Sequence, residues 1–193
     1  MSQSRFSTRV LVLMAIGIAL NMALGQLVTM LKLPVYLDSL GTMLVALLCG
    51  PWIGGLTGLV TNLLWGLLQG PTAAFFAPVA AVIGIAAGLL ARAGLFRTPW
   101  GAAIAGAIIA VALAVVAVPI RIYLFGGVTG SGADFLTAYL TKVGQDLFSS
   151  VVVTVVTSNL ADKIVTALLV WGIVRGLPQR AASDWPYLSH SRG

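Results

Sequence analysis

Long apolar runs, separated mainly by prolines and glycines, are the feature that most limits what this sequence can fold into. Apolar residues make up 59% of the chain and charged residues only 8%. A soluble domain of this size carries about a quarter charged residues, which keep its surface hydrated. The sequence therefore predicts a chain that lies almost entirely within a lipid bilayer.

The lengths of these runs set the number of membrane crossings. A hydrocarbon core about 30 Å thick requires roughly 20 apolar residues at the rise of an α-helix. We therefore predict an all-α integral membrane protein with about six transmembrane helices, at residues 10–30, 38–49, 52–69, 75–95, 100–120 and 162–176. The second run is short, as expected of a bent, tilted or partly buried helix.

The stretch between the last two predicted helices does not fit the pattern of a separate crossing. It begins with GGVTGSGAD at Gly126 and continues through FSSVVVTVVTSN, residues 148–159. About a dozen residues is too short for an ordinary membrane span, and the mixture of Ser, Thr and Val suits a covered segment. We predict that this stretch is a buried helix or a loop folded over other helices.

The distribution of charge over the connections predicts the orientation of the helices. In a six-helix arrangement that starts in the cytoplasm, the inner side carries seven arginines against one aspartate, a net charge of +6, and the outer side is neutral. Because arginine and lysine are enriched in cytoplasmic loops, we expect both ends of the chain in the cytoplasm. The inner residues are Arg5, Arg9, Arg92, Arg97, Arg175, Arg180, Arg192 and Asp184; the outer ones are Lys32, Arg121, Lys142, Lys163, Asp38, Asp134, Asp146 and Asp162.

Several classes of function lack the residues that they require. The arginines are scattered and form no basic patch with interleaved aromatics, which argues against nucleic-acid binding. A single cysteine, Cys49, and a single histidine, His190, exclude an internal disulfide and give no basis for a metal or other cofactor site. The sequence contains no GxxxxGKS/T phosphate loop, HExxH pair or nucleophile elbow. We therefore expect that the chain is not an enzyme and does not itself split ATP.

Small residues recur at every fourth position on several helices and predict close helix packing. Ala15, Ala19 and Ala23 form one such stripe on the first helix. Because lipid provides little hydrophobic drive between helices, small-residue stripes allow close van der Waals contact. The alanine stripe is the best candidate for docking a partner subunit, with internal packing as the alternative. The stripes that we expect to pack inside the chain contain Gly50, Gly54, Gly58, Gly66, Gly70, Gly84 and Gly88.

Polar and aromatic side chains predict a ligand cavity on the outer side. In the third helix Asn62, Trp65 and Gln69 share one face, and an amide at the depth of Asn62 would be costly in lipid. The same spacing recurs near the expected outer end of the last helix, at Asn159, Asp162 and Thr166. Four further candidates lie at helix ends on the same side: Arg121, Tyr123, Phe75 and Phe76.

Each of these residues also has a structural explanation. Asp38 precedes a helical run, and we expect it to cap that helix more readily than to contact a ligand. For Asp162 and Lys163 a structural role and ligand contact are equally well supported. In the structural role Asp162 is a helix cap or pairs with Arg121, and Lys163 is a snorkelling anchor. Packing or contact with lipid would explain the aromatic residues Trp65, Tyr123, Phe75 and Phe76.

Three sequence motifs resemble those of a known transporter family. They are LPVYLDSLGT at residues 33–42, CGPWIGGLTGLVTNLLWG at residues 49–66 and DKIVTALLVWGIVRGLP at residues 162–178. In this order and spacing, and together with the alanine stripe, they resemble the substrate-binding S components of energy-coupling factor (ECF) transporters. The resemblance covers about residues 8–178. We expect one transmembrane substrate-binding domain at residues 1–178 and a polar, solvated tail at residues 179–193.

The resemblance implies a role in nutrient uptake across a prokaryotic cell (inner) membrane. S components bind a vitamin or related micronutrient from outside, and a coupling transmembrane subunit with two ATPase subunits energises transport. The mixture of amides, carboxylates and aromatics suits a flat heterocycle. Within the resembled family the choices are riboflavin, thiamine or its pyrimidine, cobalamin, biotin and queuosine-type deazapurine precursors. Similarity of the GGVTGSGAD segment gives a weak preference for the deazapurines.

Other classes of membrane protein remain as alternatives. A small membrane enzyme or sensor domain would require clustered acid, base or nucleophile residues, which we do not find in the sequence. An independent ion-coupled carrier would usually show two repeated halves with matching interrupted helices. A structural assembly protein is a further alternative, because polar helix faces also hold helices together.

Overall fold

The computed structural model describes residues 7–33, 35–178 and 185–191, and every regular element among them is helical. Four residues of the predicted charge distribution lie outside the described residues: Arg5, Arg180, Asp184 and Arg192. We number the α-helices in chain order as α1 Thr8–Met30, α2 Leu40–Cys49, α3 Pro51–Gln69, α4 Thr72–Phe75, α5 Ala77–Arg92, α6 Pro99–Phe125, α7 Asp134–Lys142 and α8 Leu147–Gly176. Two short 3-10 helices, Leu95–Arg97 and Pro186–His190, follow α5 and α8.

The helix boundaries follow from capping side chains and prolines. The hydroxyl groups of Ser7 and Thr98 accept hydrogen bonds from first-turn N–H groups of α1 and α6. Pro51 occupies the first turn of α3, where its missing N–H costs nothing. At the start of α8 the Asp146 carboxylate accepts a hydrogen bond from the N–H of Ser149, which lowers the pKa of Asp146.

Four helices in the described chain are long and apolar enough to cross a membrane, namely α1, α3, α6 and α8. α2 and α5 are shorter apolar helices of 10 and 16 residues. Large apolar side chains such as Leu67, Trp100 and Val115 face outward, as expected where lipid is the solvent. These six helices correspond to the six predicted runs, and the predicted all-α membrane fold is confirmed.

The last long helix begins earlier than predicted. α8 starts at Leu147, so residues 148–159 form its first half and continue directly into the predicted crossing. Ser150 and Thr154 are buried there, and their hydroxyl groups bond to a backbone carbonyl one turn earlier and to a threonine of α7. Because the protein satisfies these hydroxyls, a segment rich in Ser and Thr is stable within a long helix. Asp162 therefore lies inside α8 and does not cap it.

The most extensive helix pairings are α3 with α5 and α6 with α8. In the first pairing, a Cβ added at Gly84 would lie 2.3 Å from the carbonyl carbon of Gly54. α1 and α2 approach as closely, since a Cβ added at Gly41 would lie 2.1 Å from the carbonyl oxygen of Gly17. The predicted glycine stripes therefore pack inside the chain, except at Gly70, where nothing lies within 4 Å of an added Cβ.

The Asn21 side chain connects α1 to the start of α2 and to α3. It is completely buried, and its Nδ2 donates to the hydroxyl oxygens of Thr42 (2.8 Å) and Thr61 (3.2 Å). Its Oδ1 accepts hydrogen bonds from the N–H groups of Gly41 (2.7 Å) and Thr42 (3.3 Å). Both N–H donors and the oxygen of the amide are thus satisfied, so this one side chain fixes the position of α1 on the other helices.

Part of the predicted solvated tail packs on the helices instead. Leu188 is 1% exposed within the main apolar core, and the Tyr187 ring lies beside Gly50 at the α2–α3 turn. Arg92 lies over the same ring, 5.7 Å from its centre. Burial of a leucine and the cation–π contact both favour this packing. Residues 185–191 are therefore held against the helices and are not a solvated end.

Replacing Asn21 with leucine should lower the free energy of unfolding by about 1–3 kcal/mol. The variant loses four hydrogen bonds and leaves the buried N–H of Gly41 without its side-chain acceptor. Unfolding of the purified protein by heat or denaturant measures the change. The control is Gln69→Leu, which removes an exposed amide and should alter stability by less than about 0.5 kcal/mol. Equal stability of the two variants would contradict the role of Asn21.

Candidate binding cavity

A cavity of about 180 Å³ lies at the end of the helices opposite the α5–α6 turn. We call it the main cavity. Its apolar wall comes from the first half of α5 and the second half of α6, together with Phe76 and Val155. Its polar wall comes from α3, α4, α6 and α8, together with the α1–α2 connection (residues 31–39) and the α6–α7 connection (residues 126–133). The polar lining residues are Tyr36, Asp38, Ser39, Asn62, Thr72, Arg121, Thr129, Ser131, Asn159 and Lys163.

The Asp162 carboxylate holds the α1–α2 connection in place. It is completely buried in α8, and its Oδ1 accepts hydrogen bonds from the backbone N–H groups of Tyr36 (3.0 Å) and Leu37 (2.7 Å). Leu37 has a φ of +48°, a left-handed conformation that costs about 1–2 kcal/mol in a residue other than glycine. The two hydrogen bonds compensate for this strain. Asp162 thus supports the wall of the main cavity without lining it.

Lys163 joins α8 to the start of α2. Its Nζ donates to the Ser39 hydroxyl (2.8 Å), lies 3.4 Å from the Asp38 carboxylate, and forms an ion pair with Asp162. These three contacts occupy all three N–H donors of the ammonium group. The snorkelling interpretation of Lys163 is therefore wrong, because the side chain is buried. Asp38 faces Lys163 and does not cap α2, whose first residue is preceded by Ser39.

Arg121 organises the α6–α7 connection. Its Nε donates to the carbonyl of Gly127 (3.0 Å), and one terminal nitrogen lies 3.4 Å from the Tyr36 hydroxyl. The other terminal nitrogen forms an ion pair with Asp134, which also accepts hydrogen bonds from two backbone N–H groups of the connection. The predicted alternative of an ion pair between Arg121 and Asp162 is therefore wrong.

The Tyr36 hydroxyl links the two connections at the cavity. It accepts a hydrogen bond from Arg121, and Ser131 is its neighbour in the α6–α7 connection. Burial raises the pKa of the Tyr36 phenol, and the positive charge of Arg121 offsets this in part. The phenol therefore stays protonated at neutral pH and keeps a hydrogen to donate.

Two asparagine amides face the main cavity, as predicted. Asn62 of α3 is 9% exposed, and its amide forms no hydrogen bond with any described residue. Asn159 of α8 donates to the carbonyl of Val155 (2.8 Å), which leaves its Oδ1 for the cavity. In the described chain the buried side-chain atoms without a partner are Trp171 Nε1 and Ser191 Oγ, so the Asn62 amide atoms, which also have no partner, are open to the cavity. Asn62 is therefore placed to bond to a molecule in the cavity.

Phe76 supplies the aromatic surface of the cavity. Its ring is stacked on Phe125, with 5.8 Å between ring centres and 19° between planes. Phe75 meets the same ring edge-on at 5.7 Å, and it is half exposed outside the cavity. Of the predicted stacking residues, only Phe76 therefore presents its side chain to the main cavity.

Three other predicted binding residues lie away from the main cavity. The Trp65 ring packs on Gly25 of α1 and lines a separate pocket of about 50 Å³. Gln69 is exposed near the end of α3, and Tyr123 is 83% exposed on the outer surface of α6. The predicted binding residues that the structure brings together around the cavity are Asn62, Arg121 and Asn159.

Sequence analysis missed most of the lining that comes from the two connections. Tyr36 and Ser131 were not identified, because their positions depend on contacts with helices far along the chain, such as the Arg121–Tyr36 contact across 85 residues. The available signal was the clustering of polar residues around Asp38 and Asp134. Within the described ranges, no three His, Cys, Asp or Glu side chains are grouped so as to hold a metal ion. The lining offers hydrogen-bond donors, acceptors and the aromatic rings of Tyr36 and Phe76.

The alanine stripe of α1 lies on the outer surface of the structure. Ala15, Ala19 and Ala23 are all exposed, whereas Met14 and Asn21 on the other side of α1 are buried. The stripe is therefore accessible to another protein chain. Its docking role stays a prediction.

The comparisons with known proteins agree with this architecture. No curated protein and no solved structure is significantly similar to the chain. A family model does match, namely that of the substrate-specific component of ECF transporters, and it covers residues 9–174. The chain therefore belongs to the family of ECF transporter substrate-specific components, which are membrane subunits that bind the substrate for uptake.

Proposed function

We propose that this chain binds a small, flat, heterocyclic nutrient in the main cavity. The observation that supports this most strongly is the Asn62 side chain, which is 9% exposed and whose amide opens into the cavity without a partner among the described residues. Phe76 offers a stacking surface nearby, and Tyr36 and Asn159 add hydrogen-bonding groups. A heterocycle with donors and acceptors along its edges requires this combination of an aromatic face and fixed polar groups.

The volume of the cavity favours a ligand of one or two rings. Pockets for drug-sized ligands have volumes of about 300–1,000 Å³, and the main cavity has about 180 Å³. Among the family's ligands, cobalamin and riboflavin are larger than this space. The pyrimidine of thiamine and the queuosine-type deazapurine precursors have one and two rings. We favour these two classes, and the deazapurines first because of the similarity of the GGVTGSGAD segment, which contributes Thr129 and Ser131 to the lining.

We assign the energy for transport to separate subunits. The sequence has no phosphate loop of its own. We propose that a coupling transmembrane subunit and two ATPase subunits drive uptake, and that the coupling subunit docks on the alanine stripe. Exposed small side chains at every fourth residue would allow a second helix to approach the backbone of α1 closely.

We propose that the main cavity opens to the outside of a prokaryotic inner membrane. The support comes from the opposite end of the helices, where three arginines lie near one another. Arg175 donates a hydrogen bond to the carbonyl of Arg97, and Arg92 lies over a ring of the C-terminal 3-10 helix. By the positive-inside rule this end faces the cytoplasm, together with both chain termini.

Reporter fusions test this orientation. A reporter enzyme that works only in the cytoplasm should be active when it is fused to the C-terminus. A reporter enzyme that works only outside the cytoplasm should be active when it is inserted at Gly130. Gly130 suits the insertion because it is exposed and has nothing within 4 Å of an added Cβ. The reverse pattern would place the cavity on the cytoplasmic side and contradict the proposed direction of uptake.

The variant Asn62→Ala should weaken ligand binding by roughly 5- to 150-fold, because a buried hydrogen bond is worth about 1–3 kcal/mol. Calorimetric titration of the purified protein with deazapurine precursors and thiamine pyrimidines measures the change. The control is Gln69→Ala, which removes an exposed amide from the same helix and should leave the affinity unchanged. Wild-type affinity in Asn62→Ala would show that the main cavity is not the binding site.

The variant Ala19→Trp should abolish assembly with the coupling and ATPase subunits and stop uptake, because the large side chain would hold the helices apart. Ligand affinity should stay within a few-fold of wild type. The control is Val115→Trp, which enlarges an outward-facing residue of α6 and should leave assembly intact. If ligand affinity falls together with assembly, the stripe serves internal packing and the docking proposal fails.

A further inference from the structure

The charged side chains around the main cavity leave an excess of negative charge. Two cations, Lys163 and Arg121, face three carboxylates, those of Asp38, Asp134 and Asp162. Both cations are buried, with side chains 1% and 3% exposed. With all five groups ionised, this set among the described residues has a net charge of −1. Burial raises the pKa of the Asp38 carboxyl, so a further positive charge beside it would favour the ionised form. An uncompensated charge is costly where water is excluded, so the set is complementary to one further positive charge.

The uncompensated acceptor is the carboxylate of Asp38. Asp162 accepts hydrogen bonds from two backbone N–H groups and pairs with Lys163. Asp134 likewise has two backbone N–H partners, and it pairs with Arg121. Asp38 differs, since its one ion pair in the described chain is the 3.4 Å contact with Lys163. Its side chain is also 31% exposed and lines the cavity.

The two cations, in contrast, have little capacity left for an anion. Lys163 uses all three of its N–H donors on Ser39, Asp38 and Asp162. Arg121 uses three of its five N–H donors, and its charge is compensated by Asp134. The two remaining N–H groups of Arg121 suit an uncharged acceptor such as a ring carbonyl.

We propose that the substrate carries a positively charged group, such as a protonated amine, that pairs with Asp38. An uncharged acceptor on its ring faces Arg121. This inference rests on the proposed function and narrows it to cationic heterocycles. Substrates whose main recognition group is a carboxylate are disfavoured, because each buried cation of the cavity already has a carboxylate partner.

Two pairs of compounds test the proposal. The two members of each pair share a ring and differ by one positive charge. The first pair is the aminomethyl and the cyano derivative of 7-deazaguanine. The second is the aminomethyl and the hydroxymethyl form of the thiamine pyrimidine. Calorimetric titration of the full chain in lipid nanodiscs at neutral pH gives the four affinities. For the ring that fits, the cationic member should bind at least about tenfold more tightly than the neutral one.

Variants of Asp38 identify the residue that recognises the charge. Asp38→Asn should weaken binding of the cationic compound by about 10- to 100-fold and binding of the neutral compound by a few-fold at most. The retained binding of the neutral compound also shows that the variant is folded. Asp38→Glu keeps the charge and should keep the preference. The control is Asp146→Asn, which neutralises an exposed carboxylate at the start of α8 and should change neither affinity.

Four results would overturn the proposal. Equal affinities within a pair would reject the cationic substrate and leave the proposed binding function standing. A preference that persists in Asp38→Asn would assign the charge recognition to another residue. If Asp38→Asn binds neither the cationic nor the neutral compound, while Asp38→Glu binds both normally, the carboxylate maintains the shape of the cavity and does not recognise the positive charge. Failure of all four compounds to bind wild type would reject the proposed ring classes and this inference together.

Discussion

The main cavity depends on one buried carboxylate, that of Asp162. A charged side chain in a helix surrounded by lipid is tolerated only if protein groups replace the water molecules that would otherwise hydrate the charge. Two backbone N–H groups of the α1–α2 connection and the ammonium group of Lys163 make that replacement. The same contacts place Tyr36, Asp38 and Ser39 at the cavity. The requirement to satisfy one carboxylate therefore positions a large part of the polar wall.

Buried polar groups serve two separate purposes in this molecule. Asn21 is fully bonded within the protein, so it fixes α1 on α2 and α3 and has nothing left for a ligand. Asn62 is 9% exposed, against 0% for Asn21, and its amide opens into the main cavity without a partner among the described residues. An amide that opens into a cavity is available to a molecule bound there, which is the role that we propose for Asn62. The two asparagines thus differ: the hydrogen bonds of Asn21 hold helices together, and those of Asn62 are free for a ligand.

The sequence was sufficient to predict the helical membrane fold, because apolar runs report directly on contact with lipid. It was insufficient for the first half of α8, where Ser150 and Thr154 weaken the apolar signal although the protein satisfies both hydroxyls. Helical spacing selected Asn62, which lines the main cavity, whereas Trp65 lies about 60° away from it around the helix and packs on α1. The lining from the two connections could not be predicted, since their conformations are set by single contacts with α6 and α8 over long sequence separations.

Because these contacts join residues far apart in the sequence, the cavity can form only late in the synthesis of the chain. Asp162 follows Tyr36 and Leu37 by 126 and 125 residues. At about 5–20 residues per second, the ribosome needs roughly 6–25 s to synthesise that interval. During this time the α1–α2 connection lacks the Asp162 acceptor for its two N–H groups, and Leu37 lacks the contacts that support its left-handed backbone. A nascent chain can insert its first five apolar helices, but the main cavity takes shape only after α8 has joined them.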